Sequence, residues 1–232
     1  MIRVKARISY SRLEAATVIT QESVLPRKKP VQRRSVELCS ALVEATARVL
    51  RDEGYEAANT NRIAEVAGVS VGSLYQYFPG KVALVYALLE RQERRQLQLL
   101  EERLGSAAAG DLESLVRSAV QALVDFYRED PQLARVLADR RRYLVELRPL
   151  PELERAFAEL IGTVIRQRAQ QLRSLDVEVA TFVVQRAVDA LTLEAAVRRP
   201  DFLDDGRLAE ELVQLIVRYV GGGGPQEDRA AG

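Results

Sequence analysis

The sequence predicts an all-α protein of about nine helices. Apolar residues recur at helical spacing along its 232 residues, and no stretch keeps the apolar–polar alternation of a strand. Capping residues and prolines divide the pattern into separate segments. The composition, 47% hydrophobic and 29% charged, suits a chain that buries one large core and carries a small appended domain.

The first helix is predicted to end at a glycine. It carries an apolar face of Leu38, Leu42, Ala45 and Val49, and Gly54 follows. Residues spaced by three or four lie on one side of a helix, so this face can pack against neighbouring helices. We therefore expect this helix to be the first of a three-helix bundle.

Two short helices joined by a glycine turn are predicted between Thr60 and Lys81. Thr60 is the expected N-cap of the first, whose apolar face is Ile63, Val66 and Ala67. Gly68 is suited to the positive φ that ends this helix. Ser70 is the expected N-cap of the second helix, whose buried side is Val71, Leu74 and Phe78. The spacing is that of a helix-turn-helix.

The outward face of the second helix has an unusual composition for a solvated surface. It presents Gly72, Ser73, Tyr75, Gln76 and Tyr77. Small residues allow a recognition helix to enter the major groove, and a glutamine can read a base edge, most simply adenine. Tyrosine hydroxyls and the Lys81 ammonium can reach phosphates. One alternative is a surface helical hairpin within a larger all-helical protein. Another is a helical adaptor that binds a second protein through Tyr75 and Tyr77.

The segment closely resembles the DNA-binding domain of TetR-type transcriptional regulators. The matching residues are Thr60, IAEVAGVS from Ile63 to Ser70, LYQYF from Leu74 to Phe78, and Lys81. At motif level the resemblance covers residues 36–89. It implies that Thr60, Tyr77 and Lys81 hold phosphates and that Gly72, Ser73, Tyr75 and Gln76 face bases. Val71 departs from the family pattern, because many relatives carry a polar residue there.

The predicted domains are a basic or disordered N-terminal arm at 1–34, a helix-turn-helix domain at 35–80, a ligand-binding and dimerisation domain at 81–220, and a flexible tail at 221–232. Up to Lys81 the chain has 13 basic and 8 acidic residues, and the remainder has 21 and 25. Five positive charges lie between Pro26 and Arg34. This segment is either a solvated linker or an arm that contacts DNA. Residues 1–25 are a disordered tail or follow from a misassigned start site.

The C-terminal domain is predicted to contain six further helices, at about 81–104, 111–128, 130–147, 152–172, 177–198 and 207–220. The last two carry apolar stripes: Val177, Ala180, Val184, Ala187, Val188 and Leu191 on one, and Leu208, Leu212, Leu215, Ile216 and Tyr219 on the other. Core packing alone explains such stripes. The family resemblance implies that part of both stripes forms a homodimer interface between the last two long helices.

A small-molecule pocket is expected among the middle helices, as the resemblance implies. Its aromatic candidates are Phe126, Tyr127, Tyr143, Phe157 and Phe182. Its polar candidates, which are more often surface residues, are Arg128, Asp139, Arg142, Gln185 and Asp189. Because no cluster of buried like charge is evident, an apolar or amphipathic effector is favoured.

Several function classes are disfavoured by composition. The chain has no histidine, which removes the commonest general base and metal ligand, so we predict a non-enzyme without a cofactor or metal. Its one cysteine, Cys39, is interpreted as a structural thiol, with a redox sensor as the alternative. No apolar run reaches the roughly 18 residues of a membrane span, so a cytoplasmic protein is expected.

The sequence thus predicts a ligand-responsive transcriptional regulator, acting as a repressor. A homodimer would bind a palindromic double-stranded DNA operator and release it when an unknown small-molecule effector binds. A helical protein–protein adaptor is the alternative.

Overall fold

The computed structural model describes residues 25–27, 32–147 and 149–221, and within them all regular structure is helical. The helices are α1 (Arg33–Ala57), α2 (Thr60–Ala67), α3 (Val71–Tyr77), α4 (Lys81–Ser106), α5 (Leu112–Glu129), α6 (Pro131–Leu147), α7 (Pro151–Gln167), α8 (Val177–Arg198), α9 (Pro200–Asp204) and α10 (Arg207–Gly221). A 3-10 turn, Ala169–Gln171, follows α7. The all-α prediction is confirmed.

The nine expected helices are present, and the sequence missed only short elements. The five-residue α9 lies in a stretch interpreted as a turn, and it is too short to show a helical period. The helix expected at 152–172 ends earlier, at Gln167, and the 3-10 turn follows it. Gly221 ends α10 and does not open a tail. The predictions for residues 1–24, 28–31 and 222–232 lie outside the described residues.

Two glycines end helices as the sequence predicts. Gly54 has φ 80° and ψ 172°, so the regular helix of α1 is interrupted there, although helical turns resume up to Ala57. Gly68 ends α2 in the left-handed conformation, with φ 69° and ψ 29°. Both conformations are costly for residues with a Cβ, which explains why glycine occupies them.

The interior consists of three clusters of buried side chains. The first combines α1 to α4 with α6, which contributes Leu133, Leu137 and Leu144. The second joins α5, α8, α9 and α10. The third is formed by the second half of α4 together with α5 and α7. The first core therefore crosses the domain boundary expected at 80/81, because α6 packs directly on the helix-turn-helix domain.

Helix α4 links the first and third clusters. Its first half buries Leu84 and Leu88 among the helices of the DNA-binding domain, and its second half places Leu97, Leu100 and Leu104 in the third cluster. At 1.5 Å per residue, its 26 residues span about 39 Å. One continuous helix thus connects the two functional parts of the chain.

Candidate DNA-binding surface and effector cavity

Helix α3 buries one side and exposes the other as the sequence predicts. Leu74 is fully buried and Phe78 is 3% exposed, whereas Gly72, Tyr75 and Gln76 are exposed. Ser73 and Tyr77 are half-buried. Ser70 caps the helix, since its hydroxyl accepts a hydrogen bond from the Ser73 N–H at 3.1 Å. A short helix with a small-residue N-terminal end is therefore presented to solvent.

The cap of α2 differs from the sequence prediction. Asn59, not Thr60, is the N-cap, because its Oδ1 accepts a hydrogen bond from the Arg62 N–H at 2.9 Å. Thr60 is the first helical residue, and its hydroxyl forms a 3.0 Å hydrogen bond with the Tyr75 hydroxyl. This bond joins α2 to the outward face of α3 and brings two of the predicted DNA-contacting residues together.

Lys81 lies at the first position of α4 and is held against Tyr55. Its Nζ donates a 3.0 Å hydrogen bond to the Tyr55 carbonyl and lies 4.2 Å from the centroid of the Tyr55 ring. The guanidinium of Arg140, from α6, stacks on the same ring at 4.1 Å. Burial lowers the pKa of Lys81, whereas the nearby Glu56 raises it and Arg140 lowers it, both by less than burial does.

Arg27 is a residue of this surface that sequence reasoning did not single out. Its backbone N–H donates to the Tyr77 carbonyl at 2.7 Å, and its Nη1 donates to the Tyr75 carbonyl at 3.3 Å. Both acceptors belong to the last turn of α3, where a positive charge is favourable. Its place in a basic stretch was the only available signal, since the contact joins residues about 50 positions apart.

A cavity of about 150 Å³ lies between α4, α5, α6, α7, α8 and α10. Apolar side chains form most of its wall, including Leu100, Leu104, Leu115, Val120, Ile165 and Ile216. Its lining residues on α4 run from Glu93 to Leu104, a distance of about 16 Å along the helix. An elongated apolar space of this kind suits a small organic molecule.

The end of this cavity nearest the DNA-binding domain is polar. The Arg141 Nε donates to Glu93 at 2.7 Å, and its Nη2 lies 3.6 Å from Asp189. Asp189 also accepts from the Tyr127 hydroxyl at 2.9 Å and from the Gln96 amide at 3.3 Å. We call these five residues, from α4, α5, α6 and α8, the polar cluster.

The polar cluster shifts the pKa values of Arg141 and Tyr127. Burial disfavours the charged guanidinium of Arg141, but the carboxylates of Glu93 and Asp189 outweigh this effect and raise its pKa. Burial and the neighbouring Asp189 raise the pKa of Tyr127. Arg141 therefore remains a cation and Tyr127 a neutral hydrogen-bond donor at physiological pH.

A second cavity of about 460 Å³ lies between α1, α4, α5 and α6 and is more polar. It shares Glu93, Gln96 and Arg141 with the first cavity. Its walls carry the ion pairs Arg51–Asp130, Arg91–Glu44 and Arg95–Glu129. The first two pairs bridge the DNA-binding domain and the C-terminal domain, so this space is a crevice between them, and the third pair joins α4 to α5.

Two family models match the chain in the regions just described. Residues 42–88 match the bacterial regulatory proteins of the tetR family, and residues 111–219 match the tetracyclin repressor-like C-terminal domain. The chain belongs to the TetR family. It is therefore a TetR-family transcriptional regulator and not an enzyme, since the family models that match it are those of regulatory proteins.

Curated relatives and solved structures agree with this family. The chain is 28% identical over 119 residues to the nucleoid occlusion factor SlmA of Glaesserella parasuis, covering 51% of this chain and 56% of the relative. It is 35% identical over 96 residues to the transcriptional activator FasR of Mycolicibacterium smegmatis, covering 41% and 43%. The chain thus spans about half the length of the curated relatives it matches.

Solved TetR-type structures share the fold. The fatty acid degradation regulator FadR from Bacillus halodurans aligns with a TM-score of 0.62 at 20% identity, covering 87% of this chain and all of that one. SmeT, the repressor of the Stenotrophomonas maltophilia multidrug efflux pump SmeDEF, aligns with a TM-score of 0.58 at 18% identity, covering 80% and 91%.

The predicted pocket aromatics divide among three environments. Phe157 lines the apolar cavity, whereas Phe126 and Tyr127 line the polar crevice. Tyr143 and Phe182 line neither and are 45% and 62% exposed. Both lie on outward faces, of α6 and α8, which helical spacing alone could not distinguish from inward ones. Of the polar candidates, Gln185 and Asp189 line the apolar cavity.

Apart from Tyr143 on α6, the large exposed apolar residues of the described C-terminal domain lie on α8, with one on α10. They are Val179, Phe182, Val183 and Leu191 on α8 and Leu215 on α10. Other members of the predicted stripes, among them Ala180, Val188, Leu212 and Ile216, are buried in the chain's own core. Of the two predicted stripes, only Leu191 and Leu215 are among the large exposed apolar residues, and the dimer interface through this helix pair stays a prediction.

A membrane-spanning role finds no support in the helices that the structure describes. None of them combines the length and the hydrophobicity that crossing a bilayer requires. The same described residues contain no cluster of three or more cysteine and acidic side chains that could bind a metal ion.

Proposed function

We propose that this TetR-family regulator is a repressor that binds a palindromic operator as a homodimer and is released by a small apolar or amphipathic effector. One observation carries the proposal: the apolar cavity is bordered by α4, the helix that begins at the DNA-binding surface with Lys81. In a cell it would act in the cytoplasm, on the nucleoid.

The DNA contacts are proposed from the outward face of α3 and its neighbours. Gly72, Ser73, Tyr75 and Gln76 would approach base edges, and Tyr77, Thr60 and Lys81 would hold phosphates. The contact of Lys81 with Tyr55 is compatible with this role, because an ammonium has three donors and the Tyr55 carbonyl occupies one. The same contact fixes the position of the Lys81 side chain at the start of α4.

Selection of bound duplexes from a random DNA pool tests operator recognition. We expect a palindrome whose half-sites are read by two α3 helices about one helical turn, roughly 34–36 Å, or a multiple of it apart. Gln76→Ala should alter the preferred base at one position of each half-site. Lys81→Ala should weaken binding to all sequences and lower the salt dependence by about 0.9 log units per lost phosphate contact. An unchanged site for Gln76→Ala would remove that residue from base reading.

The dimer is proposed to form through the exposed apolar side of α8 and the adjoining part of α10. Phe182 is 62% exposed and Leu215 is 52% exposed, and large side chains of this kind are rarely grouped on a monomer surface. Two copies of an antiparallel helix pair can bury such a face across a two-fold axis. This arrangement would leave both α3 helices free for DNA.

Phe182→Asp tests this interface. A carboxylate at its centre should convert the dimer to monomer at micromolar concentration and abolish operator binding, because one half-site alone is bound weakly. Sedimentation velocity measures the first effect and electrophoretic mobility shift the second. Tyr143→Asp is the matched control, since Tyr143 is 45% exposed on α6. A dimeric Phe182→Asp protein would place the interface elsewhere.

Release is proposed to follow from an effector that prefers one of two arrangements of α4. An effector shifts the population only through the difference in its affinities for the two states, so tight binding alone does not release DNA. A promoter–reporter assay with the selected operator distinguishes repression from activation: deletion of the regulator raises expression in the first case and lowers it in the second.

The family membership favours DNA over the adaptor alternative, in which the tyrosine-bearing face of α3 binds another protein. The observed bond between Tyr75 and Thr60 is equally compatible with either partner. If the protein binds no duplex at low salt, where phosphate attraction is strongest, the result favours the adaptor function.

A further inference from the structure

Acidic side chains outnumber basic ones in the polar cluster, at the end of the apolar cavity nearest the DNA-binding domain. Glu93 and Asp189 supply two carboxylates, and Arg141 supplies one guanidinium. These side chains are 13%, 19% and 30% exposed, respectively, so water screens them weakly. The polar cluster therefore carries a net charge of about −1, because its other members, Gln96 and Tyr127, are neutral.

The other charged groups around this cavity do not compensate for the excess. Arg186 directs its guanidinium outward, 5.9 Å from the centroid of the exposed Phe182 ring. Glu154 is exposed at the rim. Arg168 donates to the Ala108 carbonyl at 2.8 Å, near the far end of the cavity where α4 leads into α5. The exposed charges of Arg186 and Glu154 are largely screened by solvent, and the half-buried Arg168 lies at the opposite end of the cavity from Glu93.

A ligand whose hydrocarbon part packs against the apolar wall must place its polar head group either against the polar cluster or at the opening of the cavity. A carboxylate beside Glu93 would meet like charge, and the guanidinium of Arg141, which already donates to Glu93 and lies 3.6 Å from Asp189, offsets this repulsion only in part. An ammonium or a neutral donor beside Glu93 would instead complete the charge balance. The apolar wall of Leu100, Val120 and Ile216 then receives its hydrocarbon part.

From this arrangement we infer that the effector is a cationic or hydrogen-bond-donating amphiphile, and not an anionic one, whose head group lies against Glu93 of α4. The inference rests on the proposed function, in which this cavity is the effector site. It deepens that proposal by naming the charge class of the ligand. It also places the head group on the helix that begins at Lys81, so binding acts directly on the connection to the DNA surface.

Three probes with the same eight-carbon chain test the inference on the full-length protein: octylammonium, octan-1-ol and octanoate. Calorimetric titration measures binding, and displacement of the selected operator measures release. We expect octylammonium to bind at least about tenfold more tightly than octanoate, with octan-1-ol between them. Octanoate binding as tightly as octylammonium, or more tightly, overturns the inference.

Glu93→Gln assigns the preference to one side chain. It keeps an oxygen that can accept from Arg141 but removes the excess charge, so the ratio between octylammonium and octanoate should fall to about one. Glu90→Gln is the matched control on the same helix, because Glu90 pairs with Arg94 at 2.7 Å and does not line the cavity. It should retain the wild-type ratio. The wild-type ratio decides the inference even if Glu93→Gln fails to fold.

The outcomes separate this inference from the proposed function. Octylammonium that binds tightly without displacing DNA supports the charge class and contradicts the effector role of the cavity. Octanoate that binds preferentially and displaces DNA supports the effector role and overturns the charge class. Absence of binding by all three probes overturns both.

Discussion

The DNA-binding domain and the C-terminal domain fill their interiors differently. In the first, Leu42, Leu50, Ile63, Leu74 and Leu84 are fully buried in one close-packed cluster. In the second, helices α4 to α8 and α10 surround an apolar cavity of about 150 Å³. Close packing fixes the position of α3, whereas an unfilled cavity gives a ligand something to stabilise.

This difference also explains why the roles of residues are easier to predict from the sequence in the DNA-binding domain than in the C-terminal domain. The position of α3 depends on a few local caps and on buried residues at helical spacing. A cavity forms where side chains from several helices leave space between them, so its position depends on how those helices pack. The contrast can be tested by making the same kind of change in both domains.

The largest expected effect comes from adding volume to each interior. Ala45→Leu in α1 inserts three carbons where the side chain is fully buried, and overpacking should lower the free energy of unfolding by about 1–3 kcal/mol. Ala119→Leu in α5 adds the same volume to the cavity wall, where filling commonly raises stability by about 0.5–2 kcal/mol. Urea denaturation measures both changes.

Ala119→Leu should also abolish the response to effector while leaving operator affinity intact, since the cavity volume is then occupied. Equal destabilisation by the two substitutions would mean that the C-terminal domain is packed as tightly as the DNA-binding domain.

The next largest expected effect on stability comes from replacing two glycines. Gly68→Ala should cost about 1–2 kcal/mol, because φ at this position is 69° and an added Cβ makes the left-handed conformation unfavourable. Gly105→Ala, near the end of α4, should stabilise by about 0.5–1 kcal/mol, since an exposed helical glycine gains from a side chain and no neighbouring atom lies within 4 Å of its Cβ. Thermal unfolding followed by circular dichroism checks the opposite signs; a shift of the same sign for both would contradict the turn geometry.

The smallest expected effect on stability distinguishes Asn59 from Thr60 as the N-cap of α2. Asn59→Ala removes the side chain that accepts from Arg62 N–H and should cost about 1 kcal/mol. Thr60→Ala removes only the exposed bond to Tyr75 and should cost less than about 0.5 kcal/mol. Denaturant titration of the two variants decides between them, and a larger loss for Thr60→Ala would restore Thr60 as the cap.

The caps show how far sequence reasoning reached within the helix-turn-helix. Ser70 was correctly assigned, since its hydroxyl accepts a hydrogen bond from the N–H three residues later. The assignment of Thr60 was off by one residue because Asn59 and Thr60 are both good caps, and only the backbone conformation selects between them.

The C-terminal domain was harder to interpret for a different reason. Phe182 was assigned to a pocket wall and lies on the exposed face of α8, whereas Asp189 was regarded as a surface candidate and lies in the polar cluster. Helical spacing gives the relative positions of residues around one helix. It does not give the rotation of that helix against its neighbours.

The sequence by itself determined the all-α class, the limits of the long helices and the turn between α2 and α3, because caps, glycine conformations and apolar spacing act over a few residues. The tertiary structure alone decided which sides of α8 and α10 remain exposed, where the cavity lies, and that Glu93, Arg141 and Asp189 meet. Those three residues are separated by 48 positions or more along the chain, and only the packing of three different helices brings their charges together.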